Sequence, residues 1–239
     1  MRRSVSAAGA GAVAFLVGTS VVLAPAASSY PSTYSRQRCG NTTSQRVMIT
    51  FDDWNDADPH LATRTGDHLR SKGIRAAYFL NGKDAARHPD IVRTLRDQGH
   101  YVGNHGTNHR NLTGLTDAQV RAEIAGGVKS NVLRPPHGAW DDRVRDIAAG
   151  MGYRICTWTV STRDWERVNG SLRSTTSIRG YWKSAPPAAK AGGNILGHLW
   201  TNYPKAVAGL IADVHAEGRL FCRNRGPVPA GWPTVPACN

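Results

Sequence analysis

Between residues 46 and 222 the chain alternates short β-rich runs with amphipathic helical stretches, and this alternation limits the fold more than any other feature. The β-rich runs cover 46–51, 74–80, 101–103, 131–134, 154–160, 194–198 and 219–221, where β-branched, aromatic and other apolar residues gather. The stretches between them carry helix punctuation. Asp58-Pro59 opens a helix through Ser71 that Gly73 stops. His88-Pro89-Asp90 opens another that ends at Gly99, and Thr116-Asp117 caps a third. Further helices are expected over 141–150, 175–184 and 204–216; in the last, Val207, Leu210, Ile211 and Val214 share one face. Parallel strands need a long crossover, and helices supply it. The expected fold class is therefore α/β, with a parallel sheet either open or closed into a barrel. No internal repeat or composition break divides this stretch, so it forms one domain.

The ends read differently. Arg2 and Arg3, an apolar stretch from Ala7 to Leu23, and the A-x-A pattern Ala24-Pro25-Ala26 make residues 1–26 a secretory signal peptide. Removing 26 of the 239 residues leaves 213, enough for one full core, and the formal charge of +13 falls by two with the arginines. Residues 27–45 read as an exposed N-terminal arm whose end Cys39 ties down, and 223–239 as a Gly/Pro-rich C-terminal tail. No other apolar run is long enough to span a bilayer, so no stable membrane span is expected after cleavage. The mature chain is expected to be monomeric and secreted, extracellular or associated with a cell wall. Its basic charge suits electrostatic adhesion to anionic wall polymers. Export and the lack of a binding motif argue against nucleic acid. Four cysteines in an exported chain imply two disulfides, and the three possible pairings of Cys39, Cys156, Cys222 and Cys238 stay open.

In parallel barrels chemistry gathers at the C-terminal ends of strands. Asp52 and Asp53 stand at the mouth of the first run, where two adjacent carboxylates repel unless a cation sits between them or one is protonated. His105 and His109 follow the third run. If that turn is helical, the four-residue spacing turns both imidazoles the same way. One carboxylate with two imidazoles is a three-ligand metal set that leaves positions open for water and substrate. With Asp53 as the ligand, Asp52 is free to act as a base. Arg134, before the rigid Pro135-Pro136, suits a clamp on that base. His198, closing the 194–198 run, suits an acid that protonates a leaving group, with Asp164 as a partner that orients it. Trp54, Trp165, Trp200 and Tyr203 are candidate walls of a sugar groove.

In this order, Thr50-Phe51-Asp52-Asp53, His105-x-x-x-His109, Arg134-Pro135-Pro136-His137-Gly138, Arg163-Asp164-Trp165 and Leu196-x-His198 resemble the five motifs of the polysaccharide deacetylases, carbohydrate esterase family four with its NodB homology domain. The resemblance spans 46–222, which becomes the expected catalytic domain. It implies a distorted (β/α) barrel of about seven parallel strands. It implies one divalent metal ion, usually Zn2+ with Co2+ or another divalent ion as alternatives, held by Asp53, His105 and His109. Asp52 would take the proton of the attacking water, with Arg134 holding it. His198 would donate to the departing group, tuned by Asp164. The backbone N–H of His137 would steady the acetyl oxygen, and Pro136, His137 and Trp165 would line the substrate groove.

Several positions depart from the pattern: Trp54 for Gly, Gly106 for Ser or Thr, His137 for Tyr, Ser161 for an acidic residue and Leu199 for Asp. None removes a catalytic group. The expected substrate is an acetylated polysaccharide, first an N-acetylglucosamine polymer such as peptidoglycan or chitin oligomers. O-acetyl xylan on the same site and a non-catalytic carbohydrate-binding wall protein are the alternatives. An iron oxygenase also uses two His and one carboxylate. A free base beside the ligand and a separate acid His favour hydrolysis instead.

Overall fold

The structure, a computed structural model, describes residues 34–232 together with Met1 and Cys238. The expected signal peptide, the start of the arm and most of the end of the tail lie outside the described residues. Nine strands occur among the described residues: β1 (Met48–Asp52), β2 (Ala77–Leu80), β3 (Tyr101–Asn104), β4 (Val132–Leu133), β5 (Arg154–Ile155), β6 (Val160–Ser161), β7 (Arg167–Val168), β8 (Ser171–Leu172) and β9 (Asn194–His198). The helices are α1 (Leu61–Ser71), α2 (Gly82–Arg87), α3 (Pro89–Asp97), α4 (Asp117–Ala125), α5 (Asp142–Gly150), α6 (Thr175–Ser184), α7 (Pro187–Lys190) and α8 (Tyr203–Ala216). Seven strands form one sheet in the order β5-β4-β3-β2-β1-β9-β6, every pair parallel. The sheet curls with helices around it into a distorted (β/α) barrel.

The strand pleat sorts side chains to two sides. From β1, Ile49 and Phe51 pack outward under the helices with Leu69, Leu210 and Val214. Met48 points inward to a second cluster with Phe79 and Tyr101. Thr50 and Asp52 share that inward face by the same alternation. All five residues of β1 are buried, so its sequence is nearly continuous in apolar character, as a strand covered on both faces must be.

Seven strands were expected, but a different set makes up the seven. The run 154–160 is not one strand. Its first residues pair with β4 and its last with β9, so a single segment supplies both edges of the curled sheet. The run 219–221 contributes only a parallel bridge between Phe221 and Val47. The hairpin β7–β8 was not foreseen. It turns on Asn169-Gly170, both at positive φ, the pair such turns favour.

Both ends are more tightly packed than expected. In the arm Cys39 and Asn41 are buried. The arm lies along the seam between β5 and β6: Tyr34 donates to the carbonyl of Ile155 (3.0 Å), and Arg36 O accepts from Thr157 N (2.9 Å). A Cys39–Cys156 disulfide fastens it, and a second joins Cys222 to Cys238. In the tail Trp232 is buried, stacked on Tyr101 at 4.7 Å and tied to Asn131 by two hydrogen bonds. No helix among the described residues is long and apolar enough to cross a membrane.

Candidate active site

The expected site residues meet at one rim because their strands run the same way and in register. Asp52 and His198 are paired partners at the ends of β1 and β9. His105 follows β3 directly, Arg134 follows β4, and Asp164 lies three residues past β6. Asp52, Asp53, His105, His109 and His198 line a cleft of about 360 Å³, with Arg134 and Asp164 buried behind it.

The two aspartates face different partners. Asp52 Oδ1 accepts from Arg134 Nη1 at 2.6 Å, and both groups are buried. The same Nη1 reaches Thr50 Oγ1 at 2.7 Å, while Nη2 donates to Thr157 O at 2.9 Å. The guanidinium lies over Phe79, its Cζ 4.0 Å from the ring centre. A buried guanidinium with these partners is fixed in place, and it fixes Asp52. Asp53 turns the other way. Its backbone is left-handed at φ 69°, anchored by its N–H on Phe79 O at 3.0 Å. Its Oδ1 lies 3.4 Å from His105 Nε2 and 3.2 Å from His109 Nε2, and its Oδ2 accepts from Trp200 Nε1 at 2.8 Å. Burial pushes the Asp53 carboxyl up, but the nearby His105, His198 and His109 imidazoles outweigh it and hold it below the usual carboxylate range.

The spacing of His105 and His109 is not helical. Residues 105–110 form a loop, and His109 sits at φ 57°. Buried Glu123 shapes this loop: its carboxylate accepts from the backbone N–H groups of Thr107 (3.0 Å) and Asn108 (2.9 Å) and from Asn108 Nδ2. Gly106, at φ 72°, lies where a Cβ would stand 3.2 Å from that carboxylate. Glycine suits this backbone, so Gly106 in place of Ser or Thr leaves the loop well held. Nothing in the sequence pointed to Glu123.

The donor set fits a divalent cation. Asp53, His105 and His109 each offer one ligand atom, all within 4.8 Å of one another. Asp53 Oδ1 is buried with no hydrogen-bond partner, an arrangement costly for a carboxylate unless a cation faces it. His105 Nδ1 lies 2.7 Å from Arg134 O, which assigns the ring proton to Nδ1 and leaves Nε2 toward Asp53. Burial opposes charge on His105, but Asp52 and Asp53 outweigh it and raise its pKa; the same negative field attracts a metal ion. Burial lowers His109 to about 4, so its ring is neutral near pH 7 and free to ligate.

On the opposite wall Asp164 is fully buried. It accepts from His198 N (2.8 Å) and the Thr201 hydroxyl, and its Oδ1 lies 2.9 Å from His198 Nδ1. Burial disfavours charge on His198; the Asp164 carboxylate prevails and raises its pKa. Trp165 stands edge-on to His198 at 5.3 Å.

The proposed walls divide. Trp165 and Trp200 are 38% and 40% exposed and line the cleft with His137, whose ring lies 4.4 Å from that of His109. Trp54 does not: it is 5% exposed, stacked on His88 at 5.4 Å among core residues, because the chain turns it outward after Asp53. Tyr203 likewise packs on Phe51 in the core. Pro136 is buried behind the cleft rather than lining it. Trp158 is a wall that sequence reasoning missed, since it fell inside the expected 154–160 strand; it lines the cleft against Gly138, where a Cβ would come within 2.6 Å of the indole.

Residues 39–156 match the family model for polysaccharide deacetylase. These residues therefore form a polysaccharide deacetylase domain. It is 28% identical over 150 residues to a peptidoglycan-N-acetylglucosamine deacetylase of Bacillus cereus, covering 59% of this chain and 54% of that relative, so it spans about half the relative's length. It is 27% identical over 192 residues to a peptidoglycan-N-acetylmuramic acid deacetylase of Bacillus subtilis, covering 76% and 71%. Among solved structures it resembles a family 4 carbohydrate esterase from Streptomyces lividans in complex with acetate, with a TM-score of 0.63 and 28% identity over 78% of this chain and 98% of that one.

Proposed function

We propose that this protein is a secreted, metal-dependent hydrolase that removes acetyl groups from a polysaccharide, with N-acetylglucosamine-containing peptidoglycan or chitin oligomers as the first substrates. One observation carries the reading. A carboxylate locked by a buried arginine, an Asp-His-His donor set and a carboxylate-bound histidine face one another around a single cleft. Two relatives are a peptidoglycan-N-acetylglucosamine deacetylase and a peptidoglycan-N-acetylmuramic acid deacetylase, which supports such a substrate. The signal-like start and the two disulfides agree with export.

Asp53, His105 and His109 would hold the metal ion, with Zn2+ the expected occupant. When bound, it supplies Lewis acidity toward the acetyl oxygen and the attacking water. Asp52 takes the proton of that water; its tie to Arg134 holds the carboxylate in place and aims it. The backbone N–H of His137 steadies the developing oxyanion. His198, held by Asp164, gives its proton to the departing amine. Trp158, Trp165, Trp200 and His137 receive the sugar rings, because apolar sugar faces stack on indoles.

Purified mature protein incubated with chitooligosaccharides, peptidoglycan and acetylated xylan should release acetate from at least one, and chelation should stop it. Release from acetylated xylan alone would make the protein an ester hydrolase. No chelator-sensitive release from any of the three would refute the enzyme reading in favour of a carbohydrate-binding protein.

A further inference from the structure

The indole of Trp200 has two surroundings. One side is a wall of the cleft, and the ring also borders a neighbouring cavity of about 490 Å³ that includes Asn55, Leu172 and Lys205. Its Nε1–H donates to Asp53 Oδ2 at 2.8 Å.

This bond separates the two oxygens of Asp53. Oδ2 is occupied by the indole, while Oδ1 is buried, lacks a hydrogen-bond donor and faces the nitrogens of His105 and His109. The terminal torsion of an aspartate is soft, so an unheld carboxylate swings and presents either oxygen or both. The Asp53 main chain is already pinned through its N–H on Phe79 O and its left-handed φ of 69°. What stays adjustable is the carboxylate plane, and the Trp200 N–H holds it. We propose that Trp200 is a positioning residue that makes Asp53 a one-oxygen metal ligand, with Oδ1 turned to the two imidazoles. This rests on the metal-centre reading above. It also separates two roles of one side chain: the ring is wall, and the N–H belongs to the metal site.

The metal-stripped full-length mature protein would be titrated with Zn2+ against a chromophoric chelator, alongside Trp200→Phe, Trp200→Ala, Asp53→Asn and His105→Ala. Loss of an outer partner of this kind weakens metal binding about 10–100-fold. Trp200→Phe should show that loss although it keeps an aromatic ring, and Trp200→Ala should show about the same, since both lack the N–H. Wild-type affinity in Trp200→Phe overturns the proposal. So does a loss confined to Trp200→Ala, which would trace the effect to packing. The two ligand variants tell the failures apart. If Asp53→Asn and His105→Ala bind Zn2+ as tightly as the wild type, the metal centre itself is wrong and Trp200 has no such role. If they lose binding while Trp200→Phe keeps it, only the assignment of Trp200 fails. Trp200 is 40% exposed and belongs to none of the core clusters.

Discussion

The floor and the rim of the cleft are built on opposite principles. On the floor, Asp52, Arg134, Asp164 and His105 are charged or titratable groups shut away from water, each held by named partners. On the rim, Trp165, Trp200 and His137 are partly or largely exposed aromatic rings with few fixed contacts. Floor groups must be placed within tenths of an ångström, because each buried charge without its partner costs several kcal/mol. Rim rings contribute area and shape, and apart from the Trp200 N–H on Asp53 their individual effects are small. Departures from the family pattern follow this division. The floor motifs are intact, whereas His137 lies at the rim, Gly106 in a supporting loop and Trp54 in the core.

The largest expected effect is on the floor. Asp52→Asn should lower kcat for acetate release by about 10²–10⁴-fold while Zn2+ affinity stays intact. A variant that lost the metal instead would exchange the roles of the two aspartates. Arg134→Met, next in size, should reduce unfolding free energy by about 3–5 kcal/mol in urea denaturation, since it leaves Asp52 buried and unpaired. A loss under about 1 kcal/mol, the range of exposed pairs, would erase the energetic distinction between floor and rim.

Asp164→Asn tests the acid side. Asp164 raises the His198 pKa against the opposing effect of burial. A general acid works while protonated, so a raised pKa extends activity to higher pH. Removing the charge should move the falling alkaline limb of the rate profile to lower pH, as read from kcat between pH 6 and 9. An unmoved limb would deny His198 the acid role. The smallest effect is expected on the rim: Trp165→Ala should raise KM for a chitooligosaccharide about 3–10-fold, in line with the ~0.5–1.5 kcal/mol of an aromatic contact, with little change in stability. A larger loss of stability than of binding would make Trp165 part of the floor.

Local signals were readable where local forces decide. The expected helix 175–184 and strand 194–198 coincide with α6 and β9; Ser174 caps the first, and the Ile195-Leu196 pair marks the second. The capping box at Thr116 and Gln119 starts α4 where Thr116-Asp117 predicts. The split of 154–160 into β5 and β6 was not readable, since which neighbour each end pairs with depends on residues 132–133 and 194–198. Trp54 and Trp158 look alike as exposed-or-buried candidates in sequence, and only the turn after β1 and the path across the seam separate them.

The order and identity of the floor residues are determined by the sequence alone. Strand ends of a parallel barrel share one rim, so Asp52, Asp53, His105, Arg134, Asp164 and His198 were bound to approach one another once the strands were in place. What the tertiary structure decided is how they divide the work. Arg134 selects Asp52 over Asp53, Glu123 rather than helical periodicity brings His109 beside His105, and Trp200 occupies one oxygen of Asp53. These are contacts across 15 to 147 residues of chain, set by packing and hydrogen-bond satisfaction in the folded state, and no local pattern encodes them.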